Sequence, residues 1–209
     1  MTRDAKEAVA ALRRYMDAQE GEIASEEEQR KARERFQEYQ EVIAKSRQTL
    51  KTLRDRLDTL CKDLGTQQAG YDFQDWFFDL ADYFEIQNRR PYWHEGRQID
   101  GSISVGGTNY LVELKFTGGQ SDAPDIDVFR RKVDTKADNT MGILVSISGF
   151  SSVAISEASG PKTPLLLFDF NHVYLVLSGS MSLAEVVERT NRHASQTGEA
   201  YLQAGGVYK

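Results

Sequence analysis

Two short segments, "MGILVSISGF" (141–150) and "TPLLLFDF" (163–170), are nearly continuous apolar runs with no regular alternation. A strand with one wet face alternates apolar and polar residues, so runs of this kind belong to strands covered on both faces. Together with the order αββαβ…ββα of the predicted elements, such strands indicate a layered fold in which helices flank a sheet. The neighbouring segments supply the layers. "YDFQDWFFDLADYF" (71–84) spaces Phe73, Phe77, Leu80 and Phe84 as the buried side of a helix. "DAPDIDVFRRKVDTKAD" (122–138) predicts a helix starting near Pro124, because proline is favoured in a first turn. "SLAEVVERTNRH" (182–193) predicts another, with Ser182 and Glu185 as a capping box. Residues 97–105 alternate as a strand, "GGTN" (106–109) reads as a hairpin turn, and "YLVELKF" (110–116) is the partner strand. "HVYLVL" (172–177) is expected to add one strand more. The expected class is α/β with a mixed central sheet.

Residues 2–64 have a different texture. They hold no proline and one glycine, Gly21. Val9, Leu12 and Met16 predict a first helix, and Ser25 with Glu28 would cap a second after the Gly21 turn. Leu50, Leu53, Leu57, Leu60 and Leu64 follow a spacing of 3, 4, 3, 4, and Phe36 and Ile43 continue that phase upstream. Such a 3.5-residue repeat is an apolar seam that seeks another helix. Gly65 suits the residue after the helix end. The expectation is a helical arm over 1–65 and a second domain over 66–209. The arm is expected to dimerise as a coiled coil, since its second helix is about twice as long as the first; a hairpin folded back on itself or on the domain is the alternative. The charges of "EEEQRKARERFQEYQE" (26–41) read as solvated helix faces.

The formal net charge of −6 excludes a generic basic nucleic-acid coat. Residues 1–64 carry 14 Lys/Arg and 14 Asp/Glu, whereas residues 65–209 carry 12 against 18 and so supply the whole imbalance. An acidic domain can still act on nucleic acid when its acids hold metal ions that meet the phosphates. The single cysteine, Cys61, leaves no internal disulfide and no Cys-based zinc site. No window of 18 uncharged apolar residues occurs, and the N-terminal "MTRDAKEAVAALRR" lacks a signal-peptide core, so a cytoplasmic protein without a membrane anchor is expected.

The chemistry concentrates in "QIDGSISVGGTNYLVELKF" (98–116). Asp100 interrupts one apolar run, and Glu113 and Lys115 interrupt the next. Residues i and i+2 of a strand face the same side, so Glu113 and Lys115 point together, and the hairpin brings Asp100 alongside. Leu111 shares the charged side while Val112, Leu114 and Phe116 take the other, which marks the strand as interior. Charges there cost several kcal/mol unless they are paired or hold a metal. Two carboxylates beside the Leu114 carbonyl make an oxygen-rich nest suited to Mg²⁺. A lysine at its edge can orient or deprotonate water, its pKa brought down by local environment. Together these are the parts of phosphodiester hydrolysis. A plain ion pair between Glu113 and Lys115 on an exposed strand is the competing explanation.

Asp100 in "IDG", twelve intervening residues and then "ELK" resemble the D-x(n)-(D/E)-x-K signature of the restriction-endonuclease-like, PD-(D/E)xK, nuclease superfamily. "GYDFQDWFFDLADYF" resembles the leading helix of that superfamily. "FRRKVDTKADNTMGILVSISGF" and "RHASQTGEAYL" resemble segments of Mrr-like, type IV restriction endonucleases. The resemblance spans about residues 70–202. It implies a restriction-endonuclease-like core and an Mg²⁺-dependent endodeoxyribonuclease, with Mn²⁺ as a substitute, acting in defence against foreign DNA. It implies Asp100 and Glu113 as metal ligands together with the Leu114 carbonyl, and Lys115 as the residue that positions or activates water. Relatives often carry a glutamate on the leading helix where this chain has Gln74. Gln74 can still hydrogen-bond a metal-bound water, with Asp75 or Asp79 as possible substitutes, and one metal ion per site is expected. Gln98 shares the face of Asp100 and is a candidate to orient water or phosphate.

Phosphate contacts are expected from the helix after the catalytic strand, which carries Arg130, Arg131, Lys132 and Lys136. Of these Arg131 and Lys136 are the first choices, with Arg130 and, from "NRRPYWHEGR", Arg90 after them; pairing with Asp127 and Asp134 is the competing explanation. His94, His172 and His193 show no metal spacing and read as structural or incidental. With no P-loop in the sequence, any nucleotide-driven step would need a companion protein, as would targeting. A structure-specific repair nuclease, an RNA-acting nuclease and a weakly catalytic interaction module of a defence complex are the alternatives.

Overall fold

Leu165, Leu166, Leu167 and Phe168 are all buried, as the unbroken apolar run demands. The computed structural model describes residue 31, residues 49–94 and residues 97–206. The first predicted helix, the Gly21 turn, the Ser25–Glu28 cap and the Phe36 and Ile43 positions of the proposed dimer seam lie outside the described residues. In chain order the elements are α1 (49–60), ending in a short 3₁₀ turn at Cys61–Asp63, α2 (Gln67–Tyr83), β1 (Asn88–Arg89), β2 (Tyr92–His94) and β3 (Arg97–Ile99). Then follow β4 (Gly101–Val105), β5 (Thr108–Lys115), α3 (Ala123–Asp134), β6 (Thr140–Ser146), α4 (Ser152–Ala158), β7 (Leu165–Asp169), α5 (Phe170–Leu177) and α6 (Leu183–Thr197).

The main sheet is mixed, in the order β1-β4-β5-β6-β7, and β2 and β3 form a separate two-stranded ribbon. β4 and β5 pair antiparallel around Gly106 and Gly107, whose φ values of 57° and 79° define the two-residue turn that matches strand twist. β5, β6 and β7 run parallel. Each face of the sheet meets helices. Leu111, Leu144, Leu165 and Leu167 pack with Ile126, Phe129 and Val133 of α3 and Ala154 and Ala158 of α4. Val112, Leu114, Ile143, Val145, Leu166 and Phe168 pack with the helices on the other side, including Phe73, Phe77 and Leu80 of α2 and Val186 and Val187 of α6. The fold is therefore α/β, with a five-stranded mixed sheet between helices. No helix among the described residues is long and apolar enough to cross a membrane.

Three expectations shift. Leu50, Leu53 and Leu57 of α1 are buried in the same core as α2, and the Trp76 indole donates to the Leu53 carbonyl at 2.8 Å. The compact unit accordingly begins at Thr49, upstream of the boundary expected at residue 65. Residues 97–105 do not form one strand. They break at Asp100, so that β3 pairs with β2 and β4 pairs with β1 and β5. "HVYLVL" is helix α5 and not a strand. The cause is Asp169, whose carboxylate accepts the backbone N–H of Asn171 at 2.9 Å and of His172 at 3.2 Å and so starts a helix.

Asp169 also ties down the segment that follows α6. Its Oδ1 lies 2.8 Å from His172 Nδ1, and its Oδ2 accepts the Tyr201 hydroxyl at 2.7 Å. Burial alone would raise this carboxyl, but the bonds from His172 and Tyr201 hold it far below the ordinary carboxylate range. A carboxyl with a depressed folded-state pKa contributes stability above its unfolded value, near 4, and loses it as pH falls toward the folded one. Chemical denaturation at pH values between about 5 and 2 should therefore show a shallower decline for Asp169→Asn than for the native chain. A second test concerns Gly101, with φ at +147°. A Cβ there would lie 2.2 Å from Phe78 Cζ and 2.5 Å from the Arg89 carbonyl oxygen. Gly101→Ala should cost about 3 kcal/mol in urea unfolding.

Candidate functional site

The break at Gly101 sets the first part of the site. β4 begins there, opposite Val112, so beyond that pair the edge of β5 has no ladder partner on the β4 side. Asp100 fills the gap, and its Oδ2 accepts the Leu114 backbone N–H at 2.9 Å. In a strand the N–H and C=O of one residue point the same way, so the Leu114 carbonyl also faces the Asp100 side. The next carbonyl, of Lys115, faces the other way and accepts the Ile147 N–H of the segment after β6. One hydrogen bond thus holds Asp100 beside the backbone between Glu113 and Lys115.

Asp100 is 8% exposed and Glu113 9%. Burial, followed by the neighbouring Glu113 charge, pushes the Asp100 carboxyl up to about 6. Two acids this close strain each other electrostatically, and a cation among them relieves the strain. Glu113 and Lys115 do not pair with each other, which removes the simple ion-pair explanation. Each instead meets helix α3: Lys132 Nζ lies 2.6 Å from Glu113 Oε2, and Lys115 Nζ lies 2.8 Å from Asp125 Oδ1. Asp125 is held in turn by the α3 capping box, its Oδ2 accepting the Asp122 N–H at 3.3 Å. Lys115 does not have the lowered pKa expected of it. Burial pulls it down, but the Asp125 hydrogen bond and the charges of Asp125, Glu113 and Asp100 outweigh that and hold it above the usual lysine value.

The remaining predicted residues are dispersed. Gln74 lies half-buried on α2, one turn before Phe78, whose ring blocks any side chain at Gly101. Because Phe73 stacks on Phe116 at 4.6 Å, this part of α2 lies level with the Asp100 end of β5, yet Gln74 makes no hydrogen bond to Asp100, Glu113 or Lys115. Gln98 sits in β3 opposite Trp93. Arg90 is engaged by α2, its Nη2 lying 2.8 Å from carboxylate oxygens of both Asp79 and Asp82, with Asp75 at 3.7 Å from Nη1. Asp79 also meets Arg56 at 2.8 Å, so Asp75 and Asp79 are engaged by arginines. Arg130 donates to the carbonyls of Glu157 and Ala158 and joins α3 to α4. Arg131 is exposed and Lys136 half-buried, and neither joins the cluster around Glu113. His172 serves the Asp169 network and His193 lies 3.1 Å from Glu199.

Sequence reasoning did not single out Asp125, and it named Lys132 without choosing it. A signal was present: the two are seven residues apart, two helical turns, and flank the buried Ile126, Phe129 and Val133. The cluster holds three carboxylates and two ammonium groups. Among the described residues no three His, Cys, Asp or Glu side chains gather as a complete metal cage. The oxygen donors that do gather, Asp100, Glu113 and the Leu114 carbonyl, are of the hard type that suits Mg²⁺, which takes one or two protein carboxylates and keeps its waters.

No family model and no curated protein matches this chain. A solved structure described as a protein of unknown function, AF1548, is similar with a TM-score of 0.45 and 13% identity, covering 59% of this chain and 77% of that one. At that level it bears on neither family nor activity.

The Glu113–Lys132 contact is measurable by itself. The two side chains are 12% and 14% exposed, so Glu113→Gln and Lys132→Met should each lower stability by about 3 kcal/mol. The double variant should lose less than the sum, with a coupling of about 2 kcal/mol in a double-mutant cycle read by urea denaturation.

Proposed function

We propose that this chain is a metal-dependent endodeoxyribonuclease with a restriction-endonuclease-like core, acting in defence against foreign DNA. The observation that carries the reading is the placement of two buried acids, Asp100 and Glu113, on either side of the Leu114 backbone, with Lys115 next in the strand. Asp100, Glu113 and the Leu114 carbonyl would hold Mg²⁺ or Mn²⁺. The bound ion would polarise a phosphate oxygen and lower the pKa of a coordinated water. Lys115 orients the attacking water through its ammonium group, and Asp125 fixes the direction of that group. Helix α3 steadies the Lys115 end of the arrangement, because its capping box holds Asp125 in place. Arg131 and Lys136, which have no partner in this cluster, would meet the DNA backbone. The N-terminal helices would dimerise the chain so that two sites address two strands, with a companion targeting or NTPase protein and a cytoplasmic setting completing the proposal.

A second reading has one observation in its favour. Both Glu113 and Lys115 are satisfied by α3 without any metal, as in a structural ion-pair network of a non-catalytic interaction module.

Cleavage of supercoiled plasmid in Mg²⁺ or Mn²⁺ separates the two. The native chain should cut, and Asp100→Ala, Glu113→Ala and Lys115→Ala should each lose at least about 100-fold in rate while circular dichroism shows them folded. A native chain that leaves plasmid, linear and single-stranded DNA intact, or a Glu113→Ala variant as active as the native chain, removes the nuclease reading.

A further inference from the structure

Lys132 is the residue of the site that the proposed mechanism leaves without a task in the reaction. Its ammonium lies 2.6 Å from Glu113 Oε2, and only 14% of its side chain is exposed. Its positive charge, like that of Lys115, also acts on Asp100. The two ammonium groups therefore supply, within the chain, part of the positive charge that a divalent cation would bring to the same carboxylates. Their roles differ in one respect. Lys115 is anchored to Asp125, a third acid that no proposed metal ligand requires, whereas Lys132 rests on Glu113 itself.

We infer that Lys132 is an exchangeable counter-ion of the site: it leaves Glu113 when a divalent cation binds there and then contacts the phosphate of the substrate. The inference rests on the nuclease reading above. Two physical arguments support it. An ammonium 2.6 Å from Glu113 Oε2 and a divalent cation on the same carboxylate repel each other, so the two cations compete for Glu113. Once displaced, an ammonium on a flexible four-carbon stem cannot remain buried and unpaired, and a phosphate arriving at the metal is the nearest new anion. Helix α3 keeps the lysine in range, since Phe129 and Val133 beside it are locked in the core. No bond is made or broken in this exchange. Its consequence is linkage: cation binding strengthens phosphate binding, and phosphate binding strengthens cation binding by the same factor.

The test uses the full chain with Mn²⁺ as the probe. Calorimetry measures Mn²⁺ affinity for the native chain and for Lys132→Met, Lys132→Gln, Lys132→Arg and the Asp100→Asn/Glu113→Gln double variant. Anisotropy of a fluorescent duplex with phosphorothioate linkages, which resist hydrolysis, measures DNA affinity with and without Mn²⁺. Lys132→Met should bind Mn²⁺ about 10-fold more tightly than the native chain, and Lys132→Arg should return toward the native value. Mn²⁺ should tighten DNA binding about 10-fold in the native chain and about 2-fold or less in Lys132→Met. Lys132→Gln carries the same expectations and serves where the methionine variant does not fold. Equal or weaker Mn²⁺ binding by the folded Lys132 variants overturns the exchange while leaving the nuclease reading in place. Tighter Mn²⁺ binding with the DNA linkage intact overturns the phosphate contact. A native chain that binds no Mn²⁺, or a double variant that binds it as well as the native chain, overturns the nuclease reading itself.

Discussion

The hydrogen bond from the Leu114 N–H to Asp100 Oδ2 joins the two halves of the site, and much of the local architecture is arranged to permit it. Asp100 can reach that N–H only because β4 starts one residue after it, at Gly101. Gly101 in turn can sit there only because it lacks a side chain, with the Phe78 ring and the Arg89 carbonyl filling the space a Cβ would need. The bond satisfies a buried backbone donor that has no ladder partner and places a carboxylate where ordinary ladder pairing would place another backbone. Glu113 and Lys115 then follow from strand geometry, both on the face away from Leu114.

Helix α3 converts this hairpin corner into a defined constellation. It is packed by Ile126, Phe129 and Val133 against Leu111 and Leu144, and its polar edge meets the charged part of β5 at two points. Neither Asp125 nor Lys132 could reach β5 if the helix were rotated by a third of a turn. The apolar core thus sets the electrostatics of the site, because the same residues that bury the helix also choose which of its charges face inward. Four basic residues lie within seven positions, Arg130 to Lys136, yet only Lys132 enters the cluster; Arg130 holds α4 and Arg131 faces solvent.

The failures of sequence reading have physical causes of the same kind. "HVYLVL" is apolar enough for a strand, but a capping aspartate one turn earlier decided for helix, and the carboxylate that does so is also the one that holds Tyr201. The break in residues 97–105 was hidden because alternation continues through Asp100 in both possible registers. Arg90 is a candidate for phosphate contact in the sequence, and in the structure Asp79 and Asp82, three residues apart on α2, hold its guanidinium. The leucines at 50, 53 and 57 carry a seam that suits a partner helix or a folded core equally well, and within the compact unit they are used by the core. Periodicity reports that a face is buried and says nothing about what buries it.

The sequence by itself indicated the layered α/β class, since two unbroken apolar segments suit covered strands and segments of helical period stand on either side of them. It also brought Asp100 near Glu113 and Lys115, since a two-residue glycine turn sets the two segments side by side and a side-chain period of two points Glu113 and Lys115 together. Both are local rules, written over a few residues. The tertiary structure alone decided the partners of those charges: Asp125 for Lys115, Lys132 for Glu113, the Leu114 backbone for Asp100. Those pairings depend on the rotation of α3 about its axis and on where β4 begins, and both are set by packing against residues distant in the chain.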